Sequence, residues 1–304
     1  MLGTRLVTGF SMAAVLIAVL AIDGWFSPWF PLWLVVSLVV TGAASLELVG
    51  LLLGTSARPS GNTVFGGVVA VVLSNWAPHL ASHVHRLPQM AGRLGYDPLA
   101  PVNALSWPLL TFAAVVMLTF VAQSAQFEKP GGTMATIAGT VLAVAYVGLL
   151  GSFIIQMRWL DGPYQGLIPL VFLFTTAKGA DVGAYALGRI AGRHKLWPRL
   201  SPNKTVEGAA GGLLFSVGGA LLVAAIARYL LRVHTLSWAQ AVAFGVVVGV
   251  AAQLGDLMES MIKRDCERKD ASAVVPGFGG VLDVLDSLLF AGPVAFGFWL
   301  WAGV

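Results

Sequence analysis

Long apolar runs dominate the chain, and short polar or basic connectors separate them. A helix needs about 20 mostly apolar residues to cross the hydrocarbon core of a bilayer. Nine runs approach that length, at 5–22, 30–54, 62–78, 104–123, 134–155, 167–188, 208–231, 239–260 and 281–303. They lack the strict alternation of polar and apolar positions that is typical of an outer-membrane barrel strand. The pattern therefore predicts an all-α, polytopic integral membrane protein with about nine transmembrane helices.

The first run follows Arg5 and is similar in length to the apolar core of a signal peptide. Because it has no clear small-x-small cleavage pattern before Asp23, we interpret it as a retained first helix. Residues 1–165 hold helices one to five with small polar connectors, whereas 166–304 hold helices six to nine and nearly all the polar chemistry. We therefore predict an N-terminal part, 1–165, and a C-terminal part, 166–304, whose cytoplasmic loops form the catalytic core.

Composition excludes an ordinary cytosolic enzyme. The 304 residues are 57% hydrophobic and only 11% charged, whereas about a quarter of the residues in an average soluble domain are charged. A soluble fold of this size would need a far more polar surface. The single cysteine, Cys266, excludes an intramolecular disulfide and any CxxC metal or redox site.

The basic residues indicate orientation rather than nucleic-acid binding. The net charge is +4, but the 18 Lys and Arg residues lie in short segments and form no basic stripe, so we expect no nucleic-acid partner. With nine spans, the side that holds the N-terminus and the even-numbered loops carries 12 of these cations, and the opposite side carries 5, including Arg158. Because cytoplasmic loops are enriched in Lys and Arg, we expect an inner-membrane protein with its N-terminus and charged loops in the cytoplasm and its C-terminus outward.

Small residues recur four positions apart in the C-terminal part. The pairs are Gly179 and Gly183, Gly188 and Gly192, Gly208 and Gly212, and Gly245 and Gly249. Such spacing favours the close packing of membrane helices. We prefer this interpretation to a role in phosphate contact.

Ionisable residues within the apolar runs are the first candidates for chemistry, because charges inside a membrane are costly. They are Glu47, Lys178, Asp181, Asp256, Glu259, Asp283 and Asp286. Lys178 and Asp181 are three residues apart on one helix, so they are able to pair with each other. Glu47 has no charged neighbour in the sequence, and we interpret it as a structural group.

Three of the acids predict a metal site. Asp283 and Asp286 are three residues apart in the first turns of the ninth span, and a hairpin with the eighth span would bring Asp256 to the same depth. Three carboxylates at one depth repel each other without a cation, and Mg²⁺ prefers such hard oxygen ligands. The alternative is that the acids only complement the helix dipole. We predict Mg²⁺ at Asp256, Asp283 and Asp286, and leave open whether a monovalent cation joins it.

Two spans begin where an anion could bind. Ser201-Pro202-Asn203-Lys204 precedes the seventh span, with Pro202 suited to a first helical turn, and Gly277, Gly279 and Gly280 precede the ninth. In the predicted orientation both N-termini, with their free N–H groups and positive dipole ends, point to the cytoplasm. Together with the basic loops and the acids, they predict a polyphosphate site at the membrane surface.

The loops also carry ordered motifs. Ser260 to Arg264 reads Ser-x-x-Lys-Arg, Lys269-Asp270 follows, and Pro276 to Asp286 contains Pro-Gly-x-Gly-Gly-x-x-Asp-x-x-Asp; a second block runs from Asp181 to Gly208. These motifs resemble those of the phosphatidate cytidylyltransferase family, also called CDP-diacylglycerol synthases. The similar segment covers about 180–290, more than a third of the chain.

The resemblance implies an enzyme of phospholipid biosynthesis in the bilayer that uses CTP and phosphatidate and releases CDP-diacylglycerol and pyrophosphate. Because the lipid phosphate is already anionic, such a reaction needs no Ser, Cys or His nucleophile. By resemblance, we expect catalytic roles for Lys204, Lys263, Arg264, Lys269 and Asp270, and substrate contacts from Ser201, Asn203, Asp181, Glu207, Gly279 and Gly280. The family also implies a homodimer.

Two positions depart from the family pattern. Phe278 stands where the family has His, and Val284 where it has Arg. Both changes remove polar groups beside the predicted metal. The alternatives are therefore a catalytically impaired relative that binds lipid phosphate, or a cytidylyltransferase for another membrane lipid phosphate. A transporter is disfavoured, because its ion-binding acids would lie near the membrane midplane.

Overall fold

The computed structural model of the protein describes residues 2–81, 97, 99–160, 166–275, 277 and 279–303. The chain divides into two compact units. The first unit comprises Met1–Trp159 with Asp270–Leu282, and the second comprises Leu160–Lys269 with Asp283–Val304. This division lies near the predicted boundary at 165 and differs from it in assigning Asp270–Leu282 to the first unit.

The described residues of the first unit are mainly helical, with turns and loops between the helices. Its helices are α1 (Leu2–Asp23), α2 (Pro31–Leu52), α3 (Gly61–Ser74), the short α4 (Ala77–Ala81) and α5 (Pro101–Ala104), α6 (Ser106–Ala125), α7 (Thr133–Ala143) and α8 (Leu150–Gln156). A π-helical stretch, Val144–Leu149, connects α7 to α8. Single 3₁₀ turns follow α1 at Gly24–Phe26 and α8 at Met157–Trp159.

The second unit contains long helices and one small sheet. Its elements are α9 (Leu167–Ala191), β1 (Lys195–Trp197), β2 (Ser201–Thr205), α10 (Val206–Ala225) with a π-helical extension at Ile226–Leu230, α11 (Trp238–Asp265) and α12 (Val281–Ala302), which begins at the end of the first unit. Ser237 starts α11 with a capping box: its hydroxyl accepts from the Gln240 amide, and the Gln240 side chain accepts from the Ser237 amide.

The nine predicted apolar runs fall on mainly helical residues, although 62–78 covers α3, a turn and the start of α4. Among the described residues, seven helical segments are long and apolar enough to cross a membrane: Pro31–Leu52, Pro101–Ala125, Thr133–Trp159, Leu167–Ala191, Val206–Leu230, Trp238–Asp265 and Val281–Ala302. Ser11–Phe26 and Gly61–Ser74 are apolar but shorter. An almost entirely α-helical, multi-pass membrane protein is thus confirmed, while the number of nine crossings and the side of each terminus stay predictions.

Arg158 corrects one expectation about the first unit. We counted it among loop cations, but its side chain is fully buried. Its Nη2 donates to the carbonyl of Leu20, 2.8 Å away, and its guanidinium lies 4.1 Å from the centre of the Phe30 ring. The reason is that carbonyl groups in the last turn of a helix lack partners within the helix, and here α1 obtains one from Arg158.

Glycines allow the helices of the second unit to pack closely, as the small-residue spacing indicated. A Cβ added at Gly183 would come within 2.6 Å of the Phe215 Cβ, and one added at Gly245 would come within 2.6 Å of the Val217 Cα. Side chains at these positions would force α9, α10 and α11 apart. The packing interpretation of these glycines is therefore confirmed for this unit.

The small sheet was not expected from the sequence. β1 and β2 pair as an antiparallel hairpin with Lys195 opposite Thr205 and Trp197 opposite Ser201. Pro202 therefore lies in a strand, not in a first helical turn, and α10 begins at Val206 with Thr205 as its N-cap. Both strands of a two-stranded ribbon are edge strands. They tolerate proline because backbone N–H groups on the outer edge of each strand have no partner strand.

Candidate active site

The hairpin carries one predicted catalytic lysine into contact with a predicted metal ligand. Lys204 lies on β2, and its Nζ is 2.8 Å from Oδ2 of Asp256 on α11. Both side chains are about one-third exposed or less. The structure thus brings together two site residues that are far apart in the sequence.

The start of α10 holds the base of this hairpin. The Thr205 hydroxyl accepts from the Gly208 amide at 3.1 Å, which caps the helix. The Glu207 carboxylate accepts from the backbone amides of Arg193 and His194 at 3.0 and 3.2 Å, and it lies 2.6 Å from the His194 ring nitrogen Nδ1. Glu207, predicted to contact substrate, is here bonded to the chain segment that enters β1.

Helices α11 and α12 cross closely at Gly255. A Cβ at this position would lie 3.0 Å from the Phe290 Cβ and 3.2 Å from the Ser287 Cα. The close approach places the next residue, Asp256, beside the acidic first turns of α12. The prediction that a hairpin of these two spans gathers the acids has this physical basis.

Lys263 links the two helices on the same side. Its Nζ lies 2.6 Å from Oδ1 of Asp283 and also contacts the Glu259 carboxylate, one turn earlier on α11. Glu259 is fully buried, and the Lys263 side chain is 12% exposed. A buried carboxylate is strongly destabilising without a counter-ion, so Glu259 depends on Lys263.

Lys178 and Asp181 pair with each other, as their spacing indicated. Lys178 Nζ lies 2.9 Å from Oδ2 of Asp181 and donates to the Ser287 hydroxyl, also at 2.9 Å. The Ser287 hydroxyl in turn lies 3.3 Å from the same Asp181 oxygen. Asp286, which is buried, is within electrostatic reach of Lys178, Asp181 and Asp256. The pair therefore connects α9 to the acidic end of α12.

These side chains form one polar cluster in the second unit, which we call the lysine–carboxylate cluster. Its members are Lys178, Asp181, Lys204, Asp256, Glu259, Lys263, Asp283 and Asp286. When all are ionised, five carboxylates face three ammonium groups, which leaves two negative charges in excess. Either a proton or a bound cation relieves such an excess.

The cluster suits Mg²⁺ in chemistry and in charge, because its carboxylates are hard oxygen ligands. Among the described residues, however, no three His, Cys, Asp or Glu side chains stand together as a ready set of metal ligands. Two of the three predicted ligands, Asp256 and Asp283, are engaged by lysines. The magnesium site stays a prediction.

The structure shows no ion pair with the cluster for the other described site residues. Arg264 donates to the carbonyl of Arg268 at 3.2 Å, and its side chain is exposed. Lys269, Asp270 and Asn203 are exposed, and Ser201 is half-buried. Phe278, one of the two departures, lies outside the described residues. Val284, the other departure, is half-buried on α12.

Backbone amides at the glycine-rich entry to α12 donate to groups of the protein itself. The Gly279 amide donates to the Val275 carbonyl at 3.0 Å, and the first helical amides, of Val281 and Leu282, donate to the Glu47 carboxylate. The contact with substrate phosphate predicted for Gly279 and Gly280 stays a prediction. The signal that could have indicated Glu47 was its unexplained charge within an apolar run.

Cys266 is a poor candidate for a catalytic nucleophile. Burial and the neighbouring Asp265 carboxylate raise the pKa of the Cys266 thiol above its usual range. Only the thiolate is a good nucleophile, so this side chain is poorly suited to attack a phosphorus atom. The arrangement is instead one of opposed ammonium and carboxylate groups within the helices and the hairpin of the second unit.

Comparison with known proteins decides among the classes of enzyme that such a site could serve. Residues 3–301 match the cytidylyltransferase family. The chain belongs to this family. It is 34% identical to a phosphatidate cytidylyltransferase of Staphylococcus saprophyticus over 209 residues, which cover 68% of this chain and 72% of that protein.

Two further relatives support the assignment. A phosphatidate cytidylyltransferase of Bacillus subtilis is 35% identical over 182 residues, covering 60% of this cytidylyltransferase and 64% of the relative. One from Staphylococcus aureus is 33% identical over 200 residues, covering 64% and 72%. The family resemblance inferred from the motifs is therefore confirmed, and it extends to the N-terminal half, where the sequence offered only hydropathy.

Proposed function

We propose that this protein transfers CMP from CTP to phosphatidate and so produces CDP-diacylglycerol and pyrophosphate. The observation that carries the proposal is the match of nearly the whole chain to the cytidylyltransferase family. We infer the identity of the acceptor lipid from the relatives named phosphatidate cytidylyltransferase. The lysine–carboxylate cluster supplies a location for the chemistry.

The reaction requires positioning and charge stabilisation rather than a protein nucleophile. A phosphate oxygen of phosphatidate attacks the α-phosphorus of CTP, and the bond between this phosphorus and the bridging oxygen of the pyrophosphate breaks. Pyrophosphate leaves with the bonding electron pair and carries the growing negative charge. Lys204 and Lys263 are the candidate cations. The ammonium group of Lys204 contacts Asp256, and that of Lys263 contacts Asp283, so each could exchange a carboxylate for a substrate phosphate.

Asp256, Asp283 and Asp286 are the residues that would hold Mg²⁺. The bound ion would neutralise charge on the phosphates, as divalent metals do in phosphoryl transfer generally. Asp181 and Lys178 would maintain the local charge balance.

The finer location of the protein is also part of the proposal. The excess of Lys and Arg on one side of the predicted topology supports a site that faces the cytoplasm from the inner membrane. A homodimer stays a prediction of the family resemblance. Arg264, Lys269, Ser201 and Asn203 would meet the substrates from the exposed rim of the cluster.

The decisive experiment uses the full chain in detergent–lipid micelles with phosphatidate, Mg²⁺ and CTP labelled in its α-phosphate. Label is expected in the lipid phase, and EDTA should abolish its appearance. Diacylglycerol, which lacks the phosphate, is the control acceptor, and a polyprenyl phosphate tests the alternative lipid. A chain that labels no acceptor, while the Bacillus subtilis relative handled identically does, would overturn the proposal.

A further inference from the structure

Glu47 lies within the membrane-spanning helix α2 but serves another segment of the first unit. Its carboxylate accepts from the Ser272 hydroxyl at 2.7 Å, from the Val281 amide at 3.0 Å and from the Leu282 amide at 2.8 Å. The two amides belong to the first two residues of α12. One side chain therefore binds both the loop that precedes α12 and the start of the helix.

The contact satisfies both partners. The first amides of a helix have no acceptor within the helix, and they form the positive end of its dipole. A carboxylate inside a membrane span in turn needs donors, because it has lost the water that would otherwise solvate it. Glu47 thus occupies the anion site of this helix from within the protein, in the place where a phosphate binds at other helix N-termini.

The glycine-rich turn is shaped around this carboxylate. A Cβ added at Gly280 would overlap Oε2 of Glu47 and lie 2.8 Å from its Cδ. Gly279 has φ +109°, a conformation that side chains rarely adopt, and it pairs with Val275 through two backbone hydrogen bonds of 2.7 and 3.0 Å. The Ser272 hydroxyl also accepts from the Val274 amide. These bonds hold Ser272, Val275 and Gly279 in place ahead of α12.

The residue that follows Leu282 is Asp283, and Asp286 comes one turn later. We propose that Glu47 is a positioning residue for the transfer reaction: by fixing where α12 begins, it fixes the direction in which the helix presents these two acids. The inference rests on the proposed function. Displacing a reacting group by about 1 Å costs on the order of 100-fold in rate, so a loosened first turn should be visible in kcat.

The test compares Glu47→Gln and Glu47→Ala with Glu128→Gln, an exposed acid of the first unit that serves as the matched control. Hydrogen exchange of peptides spanning 270–285 should accelerate in both Glu47 variants. Their kcat is expected to fall at least tenfold, more for alanine, with the KM for CTP changed less than about threefold. The Mg²⁺ concentration for half-maximal rate should rise, which a purely structural loss would not cause.

Gly280→Ala provides a second variant in which Glu47 is intact but displaced, and the same changes are expected. An active wild type whose Glu47→Gln variant loses thermal stability but keeps its kcat and Mg²⁺ requirement would overturn the inference. Unchanged hydrogen exchange at 270–285 would also overturn it. Absence of transfer by the wild type is a different result, because it contradicts the proposed function itself.

Discussion

The two units differ in the groups to which their charged side chains are hydrogen-bonded. In the first unit, Asp23 accepts from the backbone amides of Leu32 and Trp33, Arg158 donates to a backbone carbonyl, and Glu47 accepts from two backbone amides. In the second unit, the charged groups of the lysine–carboxylate cluster contact one another. A side chain bonded to the backbone at a helix end satisfies groups that have no partner within the helix, whereas side-chain ion pairs can exchange partners. The comparison indicates that the first unit uses charge for structure and the second for chemistry.

The largest effect is expected at Lys263. Lys263→Met leaves the fully buried Glu259 carboxylate without its counter-ion, which should lower the free energy of unfolding by about 3–5 kcal/mol. It should also abolish transfer. Adding Glu259→Gln removes one of the two stranded carboxylates, because Asp283 also loses Lys263, and it should restore part of the thermal stability in detergent but not the activity. If the double variant regained activity, the role of Lys263 would be structural, like that of the charged residues in the first unit.

A substitution at Asp283 tests whether the acids of the second unit take part in the reaction. Asp283→Asn keeps the shape of the side chain but removes the charge that faces Lys263. We expect transfer to fall by about 100-fold or more, as for loss of one group that stabilises charge in a transition state, with little change in thermal stability. Glu128→Gln, handled in parallel, should match the wild type. An unaltered rate would show that the acids of α12 are outside the reaction.

The smallest effect on the reaction is expected at Arg158 in the first unit. Arg158→Met leaves the Leu20 carbonyl without this donor and the buried Asp23 carboxylate without this cation, which should cost about 2 kcal/mol or more of stability. The kcat of the folded protein should not change. Thermal denaturation and activity measured on the same preparation separate the two quantities. A loss of kcat without a loss of stability would contradict the division of roles between the units.

The fold was largely predictable because apolar runs of helix length have few alternatives. The predicted runs fall on mainly helical residues, and the pairing of Lys178 with Asp181 follows from a spacing of three residues on one helix. The hairpin was missed because a three-residue and a five-residue strand show too few alternations to be recognised. The start of α10 was placed too early, because Pro202 suits both an edge strand and a first helical turn.

The site was predictable in its members but not in its pairs. Motifs named Lys204, Asp256, Lys263 and Asp283, yet the partners of the two lysines depend on how the hairpin and three helices meet. Glu47 is the extreme case, since it bonds to residues 234 and 235 positions later. No local pattern encodes such a contact, because tertiary packing alone brings the two segments together.

The overlap between Gly280 and Glu47 has a consequence for how the sequence can change over generations. A side chain at 280 needs space that the carboxylate occupies, and a shorter residue at 47 would vacate that space while leaving two helix amides without an acceptor. A substitution at either position alone is therefore unfavourable, and the effect of a change at one position depends on the residue at the other. Two segments at opposite ends of the gene are thereby constrained to evolve together.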